Sequence, residues 1–274
     1  MKVLTIPWLL LFSTLIISLN QTAFATNDMS QNINHDVWDS LLKQHVQSQD
    51  GGKSTTVDYQ AMMRDRQNLN GYLQSLATIS EQQFEQWSKQ QQLAFLINAY
   101  NAATVALILT AWPDIQSIKE LGSWFNSPWS KEFVSLLGKT RSLDDIEHNL
   151  IRGDGRYNDP RIHFAVNCAS IGCPALRAEA YDGDKLDQQL DQQTALFLSD
   201  RKRNYVDDKT IKLSSIFKWY RSDFEKGWKG FFRLEDFLQL HADEIGITAS
   251  IAKKLTTSDA DIDFIDYDWR LNGK

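Results

Sequence analysis

The sequence is poor in cysteine, in positive charge and in long apolar runs. Two cysteines, Cys168 and Cys173, occur in 274 residues. A chain of this length does not need disulfides to fold, although a cysteine pair in an oxidising compartment tends to oxidise. The formal net charge is −6. An acidic chain without basic clustering argues against a nucleic-acid-binding surface. After the N-terminus no apolar run is long enough to span a bilayer. Residues 94–111 come closest, but Asn98, Tyr100 and Asn101 interrupt them. There is no internal repeat, no Gly-rich phosphate loop and no βαβ alternation, which argues against Rossmann and P-loop enzymes.

What is present begins with an export signal. Met1 and Lys2 are followed by the apolar run Leu9–Leu19, and Ala23-Phe24-Ala25 has the small-large-small pattern of a cleavage site. Residues 1–25 are thus expected to be a cleaved signal peptide, with a periplasmic or secreted destination. Residues 26–274 are then expected to form a single domain. Nine tryptophans and 14 phenylalanines suit a packed globular chain rather than a disordered one.

Periodicity predicts helices over 34–48, 58–76 and 90–111, with a capping box at Ser80 and a stop at Pro113. Strands cluster later. Gly138-Lys139 and Asp207-Asp208-Lys209 each mark a hairpin turn, residues 161–167 alternate as a strand, and 262–267 suit a last strand. Helices are expected from Ser142, Asp182 and Ser214 or Ser215. The expected class is α+β, with a helix-rich N-terminal half packed on a small, mainly antiparallel sheet.

Chemistry concentrates in residues 159–174, where His163 is followed by Asn167, Cys168 and Cys173 in a loop of small residues. A thiol beside an imidazole can ionise and act as a nucleophile. His163 or His148 is the candidate base, and Asn98, Asn101 or Asp144 can orient it. Asp144 and His148 lie four apart on one helical face. Tyr100, Asn167, Asp144 and Arg161 are candidate binding residues. A continuous strand would put His163 and Cys168 on opposite faces, so this reading requires a bend after Asn167. Three states of the cysteines remain open: a structural Cys168–Cys173 disulfide, a reactive thiol and buried inert thiols. The His163, Cys168, Cys173 and His148 set also admits a zinc reading, but its spacing is unlike the tight pairs of common zinc motifs. No metal or cofactor is assigned.

Phe95-Leu96-Ile97-Asn98-Ala99-Tyr100-Asn101, Ile146-Glu147-His148, residues 159–174, Ile216-Phe217-Lys218-Trp219-Tyr220 and Tyr267-Asp268-Trp269-Arg270-Leu271-Asn272 together resemble the domain-of-unknown-function 547 family. The resemblance spans about residues 55–272, with Arg270 departing from an expected Ser. It implies an exported bacterial protein and a shared polar site of Asn98, Tyr100, Asn101, His148, His163, Asn167, Cys168 and Cys173, without supplying its reaction. Some eukaryotic relatives carry a glutaredoxin-like module, which hints at thiol chemistry.

Three functions are consistent with these residues. One is a Cys/His-dependent hydrolase or acyl transferase acting on a small-molecule or peptide-like envelope substrate, by analogy papain- or transglutaminase-like. The second is a non-enzymatic binding module stapled by the disulfide. The third is a thiol-disulfide redox protein.

Overall fold

The computed structural model describes Met1 and residues 33–274 except Trp124. The expected signal at residues 1–25 lies outside the described residues apart from Met1. Helices come first in the chain. They are α1 (Asp36–His45), α2 (Tyr59–Arg64), α3 (Arg66–Ala77), α4 (Glu81–Glu85) and α5 (Lys89–Ile108). Between α1 and α2 lies a hairpin of β1 (Val46–Gln49) and β2 (Ser54–Val57), whose turn at Asp50, Gly51 and Gly52 has positive φ throughout. The turn residues are legible in the sequence, but the short strands beside them are not. The helix expected over 58–76 breaks at Asp65, whose carboxylate instead bonds His45 Nε2 at 2.7 Å.

The long helix α5 is the centre of the molecule. Ser88 and Gln91 form a reciprocal capping box that fixes its start. From Leu93 to Val105 every residue is buried, as a helix apolar on all sides must be. The two amides in this run are satisfied by distant backbone. Asn98 Nδ2 donates to Tyr181 O at 2.8 Å, and Asn98 Oδ1 accepts Tyr181 N–H at 2.9 Å. Asn101 Nδ2 donates to Ala165 O at 3.0 Å, and its Oδ1 accepts Asn167 N–H at 2.8 Å.

The middle of the chain holds β3 (Val134–Leu136) and β4 (Lys139–Arg141), joined by a turn at Leu137-Gly138 with positive φ at both residues. Ser142 Oγ then accepts Asp145 N–H at 3.0 Å and opens a wide π-type helical segment, Asp145–Ile151. The strand expected over 161–167 is a 3-10 helix, Pro160–Phe164. Proline at its first position has a preset φ and no N–H to lose, and Asp159 Oδ1 caps Arg161 N–H at 3.0 Å. The alternation of Ile162, Phe164 and Val166 has another cause. Ile162 and Val166 enter one hydrophobic cluster, built round α5, whereas Phe164 enters a second, built from Phe197, Phe217, Phe224 and Phe237.

The remainder comprises α6 (Leu186–Leu198), β5 (Tyr205–Asp207), β6 (Thr210–Ser214), α7 (Ile216–Trp219), α8 (Arg221–Phe224), α9 (Leu234–Leu240), α10 (Ala242–Ile245), α11 (Ala249–Thr256) and β7 (Asp261–Ile265). β5 pairs antiparallel with β6, and β7 pairs parallel with β6. The class is α+β with mostly antiparallel pairing, as expected. The strands form three small sheets rather than one. No helix among the described residues is long and apolar enough to cross a membrane.

Asn98 is thus a packing residue. Asn98→Ala leaves a buried N–H and a buried C=O at Tyr181 unpaired and is expected to cost about 3 kcal/mol. The measurement is the urea midpoint. An unchanged midpoint would mean that the Tyr181 backbone finds other partners.

Candidate functional site

The two hydrophobic clusters meet at a pocket of about 220 Å³. Its lining comes from α5 (Tyr100), the π-type segment and the residue before it (Asp144, Glu147, His148), the 3-10 helix (His163), the cysteine loop, α7 and the residue after it (Trp219, Tyr220) and the C-terminal segment (Tyr267, Trp269). Sequence elements far apart in the chain therefore converge on one cavity.

Cys168 and Cys173 are bonded to each other, with Cα atoms 6.2 Å apart, and both border the pocket. Cys168 is half-buried, whereas Cys173 is only 3% exposed. The bend that the sequence requires after Asn167 is present. Asn167 Oδ1 accepts Ala169 N–H at 2.9 Å, Asn167 Nδ2 donates to Pro174 O at 2.7 Å, and Ala169 takes a positive φ of 62°. The C-terminal segment holds the far side of the loop through Ile171 N–H to Arg270 O and Gly172 N–H to Asp268 O. Arg203, bonded to Asp200, donates to the Cys173 carbonyl.

Tyr267 is the group closest to the chemistry. Its hydroxyl lies 3.2 Å from each sulfur, and Cys168 N–H donates to Cys173 Sγ at 2.9 Å. Burial pushes the Tyr267 phenol well up, so the group stays protonated and acts as a donor. Gly172 permits this approach. A Cβ at that position would stand 2.9 Å from the Tyr267 ring atoms.

His163 is buried and its ring stacks on Tyr220, with centroids 4.0 Å apart. Its Nε2 donates to Asp223 Oδ2 at 2.7 Å. Asp223 also receives Arg152 Nε at 2.5 Å and Lys226 Nζ at 2.7 Å. Burial lowers the His163 pKa more than Asp223 and Glu147 raise it, so the ring is neutral. The three donors hold the Asp223 carboxyl far below its usual range despite desolvation. Arg152 also donates to His148 Nδ1 at 2.6 Å, leaving Nε2–H of His148 toward Asp144, 3.7 Å away. Desolvation raises the Asp144 pKa.

Tyr100, Asp144, His148, His163, Cys168 and Cys173 thus share the pocket. Asn98, Asn101, Asn167 and Arg161 do not line it. The three amides bind backbone, and the buried Arg161 guanidinium is paired with Asp159 and with the exposed Asp187 and Asp191. In the bonded state Cys168 has no thiol, so the nucleophile reading has no reactive group in this form. No imidazole hydrogen-bonds a sulfur among the described residues. The zinc reading loses its ligands because the sulfurs are joined. Among the described residues no cluster of three or more His, Cys, Asp or Glu side chains is placed to hold a metal ion. Glu147 is buried in the pocket, and Arg152 is bonded across to Asp223. Tyr220 and Tyr267 lie in motifs of the family resemblance but were not singled out as site residues, and Asp223 lies in none of those motifs.

These features define an α+β protein whose pocket has a disulfide in its lining. The family described as "Protein of unknown function, DUF547" matches residues 84–198, which form a DUF547 family domain. That match contains the cysteine loop and both pocket histidines. It stops short of Asp223 and of Tyr220, Tyr267 and Trp269, the last three of which lie in motifs on which the resemblance also drew. No curated protein and no solved structure matches the chain, so the papain- or transglutaminase-like comparison has no support.

Neutral, buried His163 makes stability depend on pH. Its folded pKa lies below the ordinary 6.5, so its contribution is complete above pH 6.5 and lost as pH falls below it, because the unfolded chain takes up the proton first. His35, lowered by burial to about 4, acts in the same direction and window. The depressed Asp223 adds a separate loss as pH falls through 3.8 and below. The urea midpoint is expected to drop between pH 7 and 5, with NMR showing the His163 ring titrating below the ordinary 6.5. A flat midpoint and a protonated ring would contradict this assignment.

Proposed function

We propose that the Cys168–Cys173 bond is the protein's reactive group and that the protein carries out thiol–disulfide exchange with a substrate seated in the pocket. The observation that carries this reading is the asymmetry of the bond. Cys168 is half-buried, whereas Cys173 is buried and its sulfur accepts the Cys168 N–H, with the Tyr267 hydroxyl 3.2 Å from both sulfurs and able to donate to the one that leaves. An incoming thiolate attacks Cys168 Sγ. A new S–S bond forms there, the Cys168–Cys173 bond breaks, and the electron pair leaves on Cys173 as a thiolate. The two donors stabilise that charge. A second thiolate from the substrate then attacks the substrate sulfur of the mixed disulfide and releases Cys168. The net result is two protein thiols and one substrate disulfide. The reverse sequence oxidises the protein.

Export through the segment at residues 1–25 belongs to this proposal, since an oxidising compartment keeps the bond formed. A stapled binding module is the second reading. It is favoured by the anchoring of the cysteine loop to residues 268–272, which makes the bond one clamp among several.

Cys173→Ser leaves Cys168 without its partner. Treated with oxidised glutathione, this variant is expected to hold glutathione on Cys168, read by intact mass. Tyr267→Phe removes one donor from the leaving sulfur and is expected to slow exchange about tenfold. Gly172→Ala, which displaces the Tyr267 ring, is expected to act in the same direction. A Cys173→Ser protein that takes up no glutathione while folded would leave the binding module as the surviving reading.

A further inference from the structure

The pocket lining carries charge of one sign. Asp144 and Glu147 contribute carboxyl groups, and no Lys or Arg is among the lining residues. Glu147 is only 6% exposed and lines the pocket together with Tyr100 and Tyr220, whose phenols its charge helps to raise. Phenol hydroxyls supply no countercharge. Asp223, behind His163, differs because Arg152 and Lys226 already neutralise it.

Much of the remaining lining is aromatic. Trp219 stacks on Trp269 with centroids 5.7 Å apart, and Tyr267 lies 4.5 Å from Trp269 and 4.9 Å from Trp219. Trp129 meets the far edge of this group at Trp269. Aromatic faces attract cations, most strongly when a carboxylate is nearby and water is excluded. One cation already uses this group. Lys119 Nζ stands 3.7 Å from the Trp269 ring centroid. Trp219 is 47% exposed at the rim and can meet an incoming group.

We infer that the pocket receives a positively charged amine, so that the exchange substrate is a thiol or disulfide borne on an ammonium-bearing molecule. The sulfur half of this statement rests on the exchange reading, and the charge half rests on the lining alone. A cavity of about 220 Å³ takes an aminoalkyl arm rather than a folded ligand. The amine sits among the Trp and Tyr rings beside Glu147, and the sulfur it carries is thereby delivered to Cys168.

Two measurements separate the halves. Choline and its neutral isostere 3,3-dimethylbutanol are titrated against tryptophan fluorescence of the oxidised protein and of the Cys168→Ser/Cys173→Ser double variant. Choline is expected to bind at least tenfold more tightly in both. Raised salt, Glu147→Gln and Trp269→Leu are each expected to erase that preference, with circular dichroism checking that the variants fold. Exchange of the reduced protein is then followed with cystamine, 2-hydroxyethyl disulfide and dithiodiglycolate, each rate divided by that of free cysteine with the same disulfide. The normalised order is expected to be cationic, neutral, anionic, with at least tenfold between the ends. Equal affinities for choline and its isostere, or equal normalised rates, overturn the amine proposal and leave exchange standing. A choline preference without exchange on any disulfide retires the exchange reading, and with it the substrate, while leaving an amine-binding pocket.

Discussion

A relay of buried amides ties the cysteine loop to the central helix, and the geometry of the site depends on it. Asn101, rigid on α5, holds Ala165 O and Asn167 N–H. Asn167 passes the constraint on to Ala169 N–H and Pro174 O, at either end of the loop that contains both cysteines. Buried amides left unpaired would each be costly, so each bond holds the next in place. The positive φ of Ala169 is strained for a residue with a side chain and persists because this relay over-determines it. The C-terminal segment closes the arrangement, with Tyr59 Oη bonding Asn272 Oδ1 at 2.8 Å and Asn272 N–H bonding Ala169 O.

The second organising feature is charge sorted by depth. Behind the pocket, Asp223 is surrounded by His163, Arg152 and Lys226 and bears a compensated charge. Arg152 also covers the Tyr220 ring, at 4.7 Å, and reaches His148. The lining itself includes the carboxyl groups of Glu147 and Asp144 and no Lys or Arg, with His148 3.7 Å from Asp144. A charge-compensated wall thus lies behind an acidic, aromatic lining. The sulfurs lie where a ligand held by that lining can meet them.

Much of this was legible in the sequence, and the reasons for the rest are physical. The cap at Ser80, the buried character of α5 and the hairpins at Gly138 and Asp208 follow from local chemistry that tertiary packing did not override. Residues 161–167 misled because a 3-10 turn sending alternate side chains into two different cores has the same pattern as a strand. Asn98, Asn101 and Asn167 stood out correctly as polar residues in apolar surroundings. Periodicity cannot tell an amide that grips backbone from one that grips a ligand, and here all three grip backbone. Arg161 is likewise consumed by three aspartates. The roles of Tyr267 at the sulfurs and of Asp223 at His163 were not legible because they rest on contacts with residues 60 or more positions away in the chain.

The central claim is that the Cys168–Cys173 bond is available to thiols in the folded protein. The direct test is the rate at which dithiothreitol reduces it, followed by alkylation and intact mass, in native buffer and again in denaturant. The native bond is expected to be reduced at least as fast as the bond in the unfolded chain, because Cys168 is only half-buried and the leaving Cys173 thiolate is met by two donors. Reduction that proceeds only as fast as the protein unfolds would contradict it and would make the bond a structural clamp.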